Sequence, residues 1–273
     1  MTDPTYALGR SNDEYARLTE QANFLRPLTE RLFKRAGIVP GMKVLDVGSG
    51  VGDVAFLLAD LVGLDGKVVG VDLDDSALEK ARTRAHQLKL RNVEFVCGDV
   101  RTMTLPAPFD AAVGRLVLLY CADPAATLAR IATQVRSKGI LAFQEMEMDG
   151  AAARATYGDS MLGKTVETIY QTFAAAGVRI NMASQLMHTY VKAGLGMPEL
   201  SGEFVVGGGA DFPGYQWLAN TLRSVAPMAR KAGIPLEPLG DLDTLAQRLR
   251  AEAASERRDF WSPPYVGAFA RVA

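Results

Sequence analysis

The chain has 273 residues, 48% of them apolar, which is enough to bury a full core, and one elaborated domain is the expectation. Its formal charge of −1 lacks the basic excess that binding a phosphate backbone requires, which argues against nucleic acid as a partner. With only Cys97, Cys121, His86 and His188, neither a disulfide framework nor a metal cluster is expected, and the two cysteines are read as buried free thiols.

The opening stretch MTDPTYALGRSNDEYARL is polar and mixed in charge, unlike a secretory signal or a transit peptide. No later apolar run reaches the ~18 residues that spanning a bilayer takes, so a cytoplasmic protein without a membrane partner is expected. A helix is predicted over residues 12–36, where Leu18, Ala22, Leu25, Leu28 and Leu32 recur at spacings of three and four. Ile38-Val39-Pro40-Gly41 then closes it.

From Lys43 onward short apolar runs alternate with helical stretches. Strands are predicted at 43–47, 67–71, 93–97, 111–116 and 139–144, with a helix in each of the four gaps. Runs apolar on both faces imply a parallel sheet covered on two sides, a doubly wound α/β fold. Residues 145–200 hold no convincing strand, but helices are predicted near 164–176 and 182–193, which reads as a helical cap inserted after the fifth strand. An extended run at 202–206, helices near 212–232 and 242–254, and a final strand at 266–272 complete the chain. The expected organisation is a single domain. It comprises an N-terminal helical segment (1–37), a cofactor-binding core (38–145), a cap (146–200) and a C-terminal completion of the sheet (201–273).

The first strand runs into VLDVGSGVGD. In open α/β sheets ligands gather at the carboxyl ends of the strands, where this turn must lie. Its glycines, Gly48, Gly50 and Gly52, recur with period two around Ser49, unlike the Gly-x-Gly-x-x-Gly of a nicotinamide site or the Lys-Ser/Thr of a P-loop. Asp46 and Asp53 flank the turn and would repel a pyrophosphate, so it suits a cationic ligand better. Asp72, followed by Leu73, stands at the second strand tip, about 20 residues on, where a carboxylate can accept ribose hydroxyls. Gly98-Asp99-Val100 stands at the third tip, with Asp99 suited to an exocyclic amine. Together the tips describe a pocket for an adenosine with a positive, phosphate-free tail.

These motifs, with FDAAVGRLVLLY in the fourth strand, resemble those of the class I S-adenosylmethionine-dependent methyltransferases across roughly residues 38–150. YALGR, GRLVLLYCADP and FQEMEMD are similar to a bacterial small-molecule group associated with specialised metabolism. The resemblance implies a Rossmann-like sheet with S-adenosylmethionine as cofactor. Gly48, Gly50 and Gly52 would line its methionine part, Asp72 would hold the ribose, and Asp99 with the Val100 backbone would read the adenine.

Methyl transfer from a sulfonium is an in-line displacement, so positioning is the protein's main task. Tyr6 is a candidate to close over the sulfonium, since an aromatic face attracts a cation, or else a core anchor. Arg17 and Gln21, one helical turn apart, are candidates for the methionine carboxylate or for a solvated helix face. Arg115, costly to bury unpaired, is assigned to the cofactor side or to a nearby carboxylate. Tyr120 at the fourth strand tip is a substrate contact. Glu145 is the first candidate for a general base, with His188 as the alternative and Glu147 as a substrate contact. Trp217 and Trp261 are candidates to wall the substrate pocket or to fill the core, and Arg223 to bind an acidic substrate group or to sit in solvent. Met146, Met148, Tyr157, Met161, Tyr170, Phe173, Met182 and Met187 suggest an adaptable pocket for a hydrophobic or aromatic small molecule. The expected activity is methylation of such a molecule at O, N or C, with a homodimer possible. A cofactor-bound cyclase, a non-catalytic binding protein and a nicotinamide oxidoreductase are the alternatives, because a fold does not fix its chemistry.

Overall fold

The computed structural model describes residues 12–106 and 108–273, and the side chains of the first helix from Phe24 onward. Helix α1 (Asn12–Ala36) precedes an alternating segment of strands and helices: β1 (Lys43–Val47), α2 (Asp53–Val62), β2 (Lys67–Asp72), α3 (Asp75–Gln87), β3 (Val93–Cys97), β4 (Phe109–Arg115), α4 (Pro124–Ala132) and β5 (Val135–Met146). The chain continues through α5 (Gly150–Tyr157), α6 (Met161–Ala175), α7 (Leu186–Lys192), β6 (Glu199–Glu203), β7 (Val206–Gly207) and α8 (Gly214–Lys231). It ends with α9 (Leu245–Glu256), β8 (Phe260–Trp261) and β9 (Tyr265–Arg271).

The central sheet has seven strands in the order β3-β2-β1-β4-β5-β9-β6, and β7 and β8 form a separate two-stranded ribbon. The first five strands are parallel, whereas β9 runs antiparallel to both β5 and β6. Alternation along the strands sorts the core into two layers. Val44, Val68, Ala111, Val113, Ile140 and Ala142 pack under α1 and α2. Leu45, Val69, Ala112, Leu141 and Phe143 face the other way, toward α4 and the later helices. This is the doubly wound arrangement expected from two-sided apolar runs.

Three details depart from the expectations. Residues 98–106 and 108, between β3 and β4, form turns where a helix was predicted. Cys97 is exposed, while Cys121 is the buried thiol. The strand β5 is longer than 139–144 at both ends, because Val135 pairs with Phe109 of β4 and β9 pairs with the other end as far as Met146. Helix α7 packs against α4 and β9, on the side of the sheet. The roof over the strand tips is built instead from α5 and α6 together with α8 and α9, which arrive from the far end of the chain.

Local chemistry explains where the helices begin. Asp74, Asp123 and Asp149 each accept backbone N–H groups at the starts of α3, α4 and α5, and the Ser160 hydroxyl does the same for α6. Among the described residues no helix is long and apolar enough to cross a membrane.

Candidate functional site

Beneath the roof, at the carboxyl ends of β1 to β4, lies a cavity of about 770 Å³. The glycine turn forms its floor. The Gly48 and Ser49 N–H groups donate to the Val71 carbonyl at 2.8 and 3.1 Å. The Gly50 N–H donates to Asp72 Oδ2 at 2.8 Å, and the Asp74 N–H to Asp72 Oδ1 at 2.9 Å. Asp72 therefore ties the turn to the second strand tip while keeping lone pairs for a ligand's hydroxyls. Burial holds its carboxyl above the ordinary value, against these two N–H bonds.

Two glycines meet different requirements. Gly48 has φ +67°, and a Cβ there would stand 2.7 Å from Val117 Cγ2. Gly50 has φ +51°, and a Cβ there would meet nothing within 4 Å, because it would project into open cavity. A ligand can thus approach the Gly50 backbone directly. Gly52 starts α2 and lies outside the cavity wall.

Leu73, Gly98, Asp99 and Val100 continue the wall. Leu73 is 63% exposed, an apolar surface beside Asp72 that a planar ring would cover. The Asp99 carboxylate is gripped by the Arg101 guanidinium, with Nε–Oδ1 at 2.8 Å and Nη2–Oδ2 at 2.7 Å, and this contact lowers its pKa. Any ligand amine at Asp99 therefore shares the carboxylate with Arg101.

Asp46 is buried below the turn and outside the cavity wall. Neither of its oxygens has a hydrogen-bond partner among the described residues, and burial pushes its pKa well up, opposed by Arg115. Asp53, which lines the cavity, pairs with Arg84 at 2.6 Å, and burial raises its pKa despite that contact. Arg115 reaches the cavity from β4, faces Asp53 and Asp46, and donates to Thr29 Oγ1 at 3.3 Å. Thr29 in turn donates to Gln144 Oε1 at 2.7 Å, which pins α1 to β5.

The two glutamates at the end of β5 have different surroundings. Glu145 is fully buried, with Oε1 accepting from the Val117 and Leu118 N–H groups at 3.0 and 2.8 Å and Oε2 from Leu119 at 3.4 Å. It is absent from the cavity wall, so its carboxyl serves the backbone at the β4 tip and not a substrate. Burial pushes its pKa up to about 8 against those three donors. Glu147 does line the cavity, held by the Ser184 N–H at 2.8 Å and the Ser184 hydroxyl at 3.1 Å.

Tyr120 and Trp217 also line the cavity, and Trp217 stacks on Phe24 with ring centroids 5.1 Å apart. His188 and Arg223 do not. His188 is exposed on α7, and Arg223 lies on the outside of α8, bound to Asn220, the Leu242 carbonyl and Asp243. Both stand on helices whose packing turns them outward, so His188 is not placed to act as a base in the cavity and Arg223 takes the solvent-side alternative. Tyr6 and the side chains of Arg17 and Gln21 lie outside the described residues.

Sequence reasoning passed over several wall residues. Asp149 was detectable, since an Asp before a run of alanines is an N-cap signal, and it caps α5 by accepting from Ala151 and Ala152. Phe260 and Tyr265 carried no such signal, because only the antiparallel return of β9 brings them to the β5 tip, whereas Trp261, a candidate wall residue from the sequence, does line the cavity.

Comparison with known proteins agrees with this geometry. Residues 38–194 match a family described as a methyltransferase domain. The chain is 34% identical over 140 residues to the aklanonic acid methyltransferase DauC of Streptomyces sp. (strain C5), covering 51% of this chain and 63% of that protein. A SAM-dependent methyltransferase from Aquifex aeolicus shares the fold, with a TM-score of 0.55 and 14% identity over 95% of this chain and 98% of that one. So does the [4+2]-cyclase SpnF, with a TM-score of 0.55 and 23% identity over 90% of this chain and 79% of that one. The chain spans less than two thirds of the length of the methyltransferase relative it matches. The family match covers more than half of the chain, over the strands and glycine turn that build the cavity floor, and this chain belongs to the methyltransferase-domain family.

Proposed function

We propose that this protein transfers a methyl group from S-adenosylmethionine to a small, hydrophobic or aromatic acceptor held under the helical roof. The observation that carries the reading is the continuity of one cavity, which joins the Gly48–Gly50 turn and the Asp72 tip to a compartment walled by Val166, Ile169, Phe173 and Phe260. When bound, the cofactor supplies a methyl group on a sulfonium.

The residues present fit such a group. The open approach to Gly50 accommodates the chain that leads to the sulfur, and Asp72 accepts the ribose hydroxyls. Leu73 covers one face of the base, with Asp99 and the Val100 backbone at its edge. Asp53 and Arg115 sit where an amino acid's ammonium and carboxylate call for opposite charges. Tyr6, Arg17 and Gln21 belong to the same proposal as residues of the entry segment.

The chain's contribution to the reaction is alignment and exclusion of water. Holding the acceptor against the methyl donor can be worth ~7–11 kcal/mol. Where the acceptor must lose a proton, Glu147 is the carboxylate we assign in place of Glu145, since it faces the cavity and is oriented by Ser184. Tyr120 and Trp217 contact the acceptor. The fold also accommodates a cyclase, so turnover decides between the two.

Calorimetric titration with S-adenosylhomocysteine, followed by transfer of labelled methyl to a panel of aromatic acceptors, tests this function. Micromolar or tighter binding and labelled product are expected. Binding without any labelled product across the panel would favour the cyclase or non-catalytic alternative, and no binding by folded protein would end the reading.

A further inference from the structure

The two halves of the cavity differ in charge and in how their polar groups are engaged. Asp53, Asp72, Asp74 and Asp99 lie on the glycine-turn side, as do the cavity's guanidinium groups, Arg115 and Arg101, the latter held by Asp99. Under the roof the charged side chains in the wall are Glu147 and Asp149, and no described cation accompanies them. An anion placed there would leave water for a low-dielectric pocket containing like charges.

Most hydrogen-bonding side chains in this compartment already have partners. The Tyr157 hydroxyl donates to the Trp261 carbonyl at 2.6 Å and accepts from the Trp261 N–H at 2.7 Å. Thr156 donates to the Ala152 carbonyl and Thr221 to the Trp217 carbonyl. Glu147 accepts from Ser184, and Asp149 caps α5. Tyr170 is different: it lines the cavity from α6, half-buried, and its hydroxyl makes no hydrogen bond to any described residue. Burial, with Tyr265, Tyr157 and Asp149 nearby, raises its pKa, so the phenol stays protonated and offers a hydrogen.

We propose that, on the methyltransferase reading above, the roofed compartment selects an uncharged aromatic acceptor bearing a keto or phenolic oxygen, and that Tyr170 is the specificity-determining residue that donates its hydroxyl hydrogen to that oxygen. A carboxylate analogue of the same shape is rejected by Glu147 and Asp149. A neutral ring gains the contact with Phe173, Trp217 and Phe260, and its oxygen accepts from the Tyr170 hydroxyl.

The test uses the full chain saturated with S-adenosylhomocysteine and two probes of matched shape: acetylnaphthalene and naphthoate. Calorimetry near neutral pH should show the ketone binding at least about tenfold more tightly than naphthoate. Tyr170→Phe should weaken the ketone about five- to tenfold, the size of one hydrogen bond, and leave naphthoate unchanged. Because the hydroxyl has no described partner, the same variant should keep its melting temperature and its S-adenosylhomocysteine affinity. A naphthoate probe that matches the ketone, a ketone that does not bind, or a Tyr170→Phe protein that binds it as well as the parent would each overturn the proposal. Failure of S-adenosylhomocysteine to bind while the ketone preference persists would remove only the methyltransferase reading.

Discussion

Glu145 and Leu118 are joined by a 2.8 Å hydrogen bond in which a buried carboxyl accepts the backbone N–H at the start of the turn after β4. With Val117 and Leu119 as further donors, the carboxyl holds the loop that carries Tyr120 into the cavity. Glu145→Ala would leave these buried N–H groups unpaired, at ~1–3 kcal/mol for each one left unmet. A melting temperature unchanged in that variant would refute the role.

The same group makes stability depend on pH with a definite sign. Its folded pKa of about 8 exceeds the ordinary 4.5, so between those values the folded form holds a proton that the unfolded form has lost. Its contribution is therefore full below about 4.5 and is lost as pH rises through the interval to about 8. Denaturation curves across that range should fall less steeply with pH for Glu145→Gln than for the parent protein. Parallel slopes would show that Glu145 is ionised in the fold.

Asp72 should be the most sensitive position for cofactor affinity. Asp72→Ala removes the acceptor of the Gly50 and Asp74 N–H groups as well as the proposed ribose acceptor, and should weaken S-adenosylhomocysteine by more than about tenfold. Its raised pKa adds a second readout: affinity should decline on acidification beginning above the ordinary aspartate value of 3.8, and this decline should vanish in Asp72→Asn. Equal pH profiles would exclude Asp72 as the titrating group.

Gly48 and Gly50 should fail in different ways. Gly50→Val meets no protein atom near its Cβ, so the protein should fold with a backbone penalty of ~1–2 kcal/mol but lose S-adenosylhomocysteine binding. Gly48→Ala collides with Val117 and should lose stability, with partial recovery when Val117→Ala is added. Circular dichroism melts beside calorimetry separate the two, and retained binding in Gly50→Val would contradict the approach of a ligand to that backbone.

Tyr157 in the roof contrasts with two residues outside the cavity. Tyr157→Phe removes both hydrogen bonds to Trp261, including the acceptor of the Trp261 N–H, and should cost ~1–3 kcal/mol in denaturant unfolding. His188→Ala and Arg223→Ala, outside the cavity, should leave cofactor affinity unchanged and shift stability by only about 0.5 kcal/mol. A marked loss of binding in either would point to a contact that the cavity wall lacks.

The floor of the site was legible because its signals are local. The turn around Gly48, the acid Asp72 and the Gly98–Val100 segment each follow a strand directly, and parallel strands set side by side bring their tips together. The roles of Glu145 and Glu147 were not legible. Two residues apart, they would share a face if the strand continued, but β5 ends at Met146, and which of them meets the cavity depends on β9 and the loop after β4, both distant in sequence. His188 failed for a related reason, since periodicity defines a helix face without saying what packs on it.

The sequence by itself determined the doubly wound sheet, the glycine turn and the strand-tip acids, because apolar periodicity and short-range backbone geometry are written into contiguous residues. Only the tertiary structure decided the acceptor compartment. Its walls come from α6, α8 and the β8–β9 end of the chain, and Tyr157 and Trp261, 104 residues apart, are joined there by hydrogen bonds. Burial, which raises the pKa of Tyr170 and removes Glu145 from the cavity, exists only once those segments have packed together.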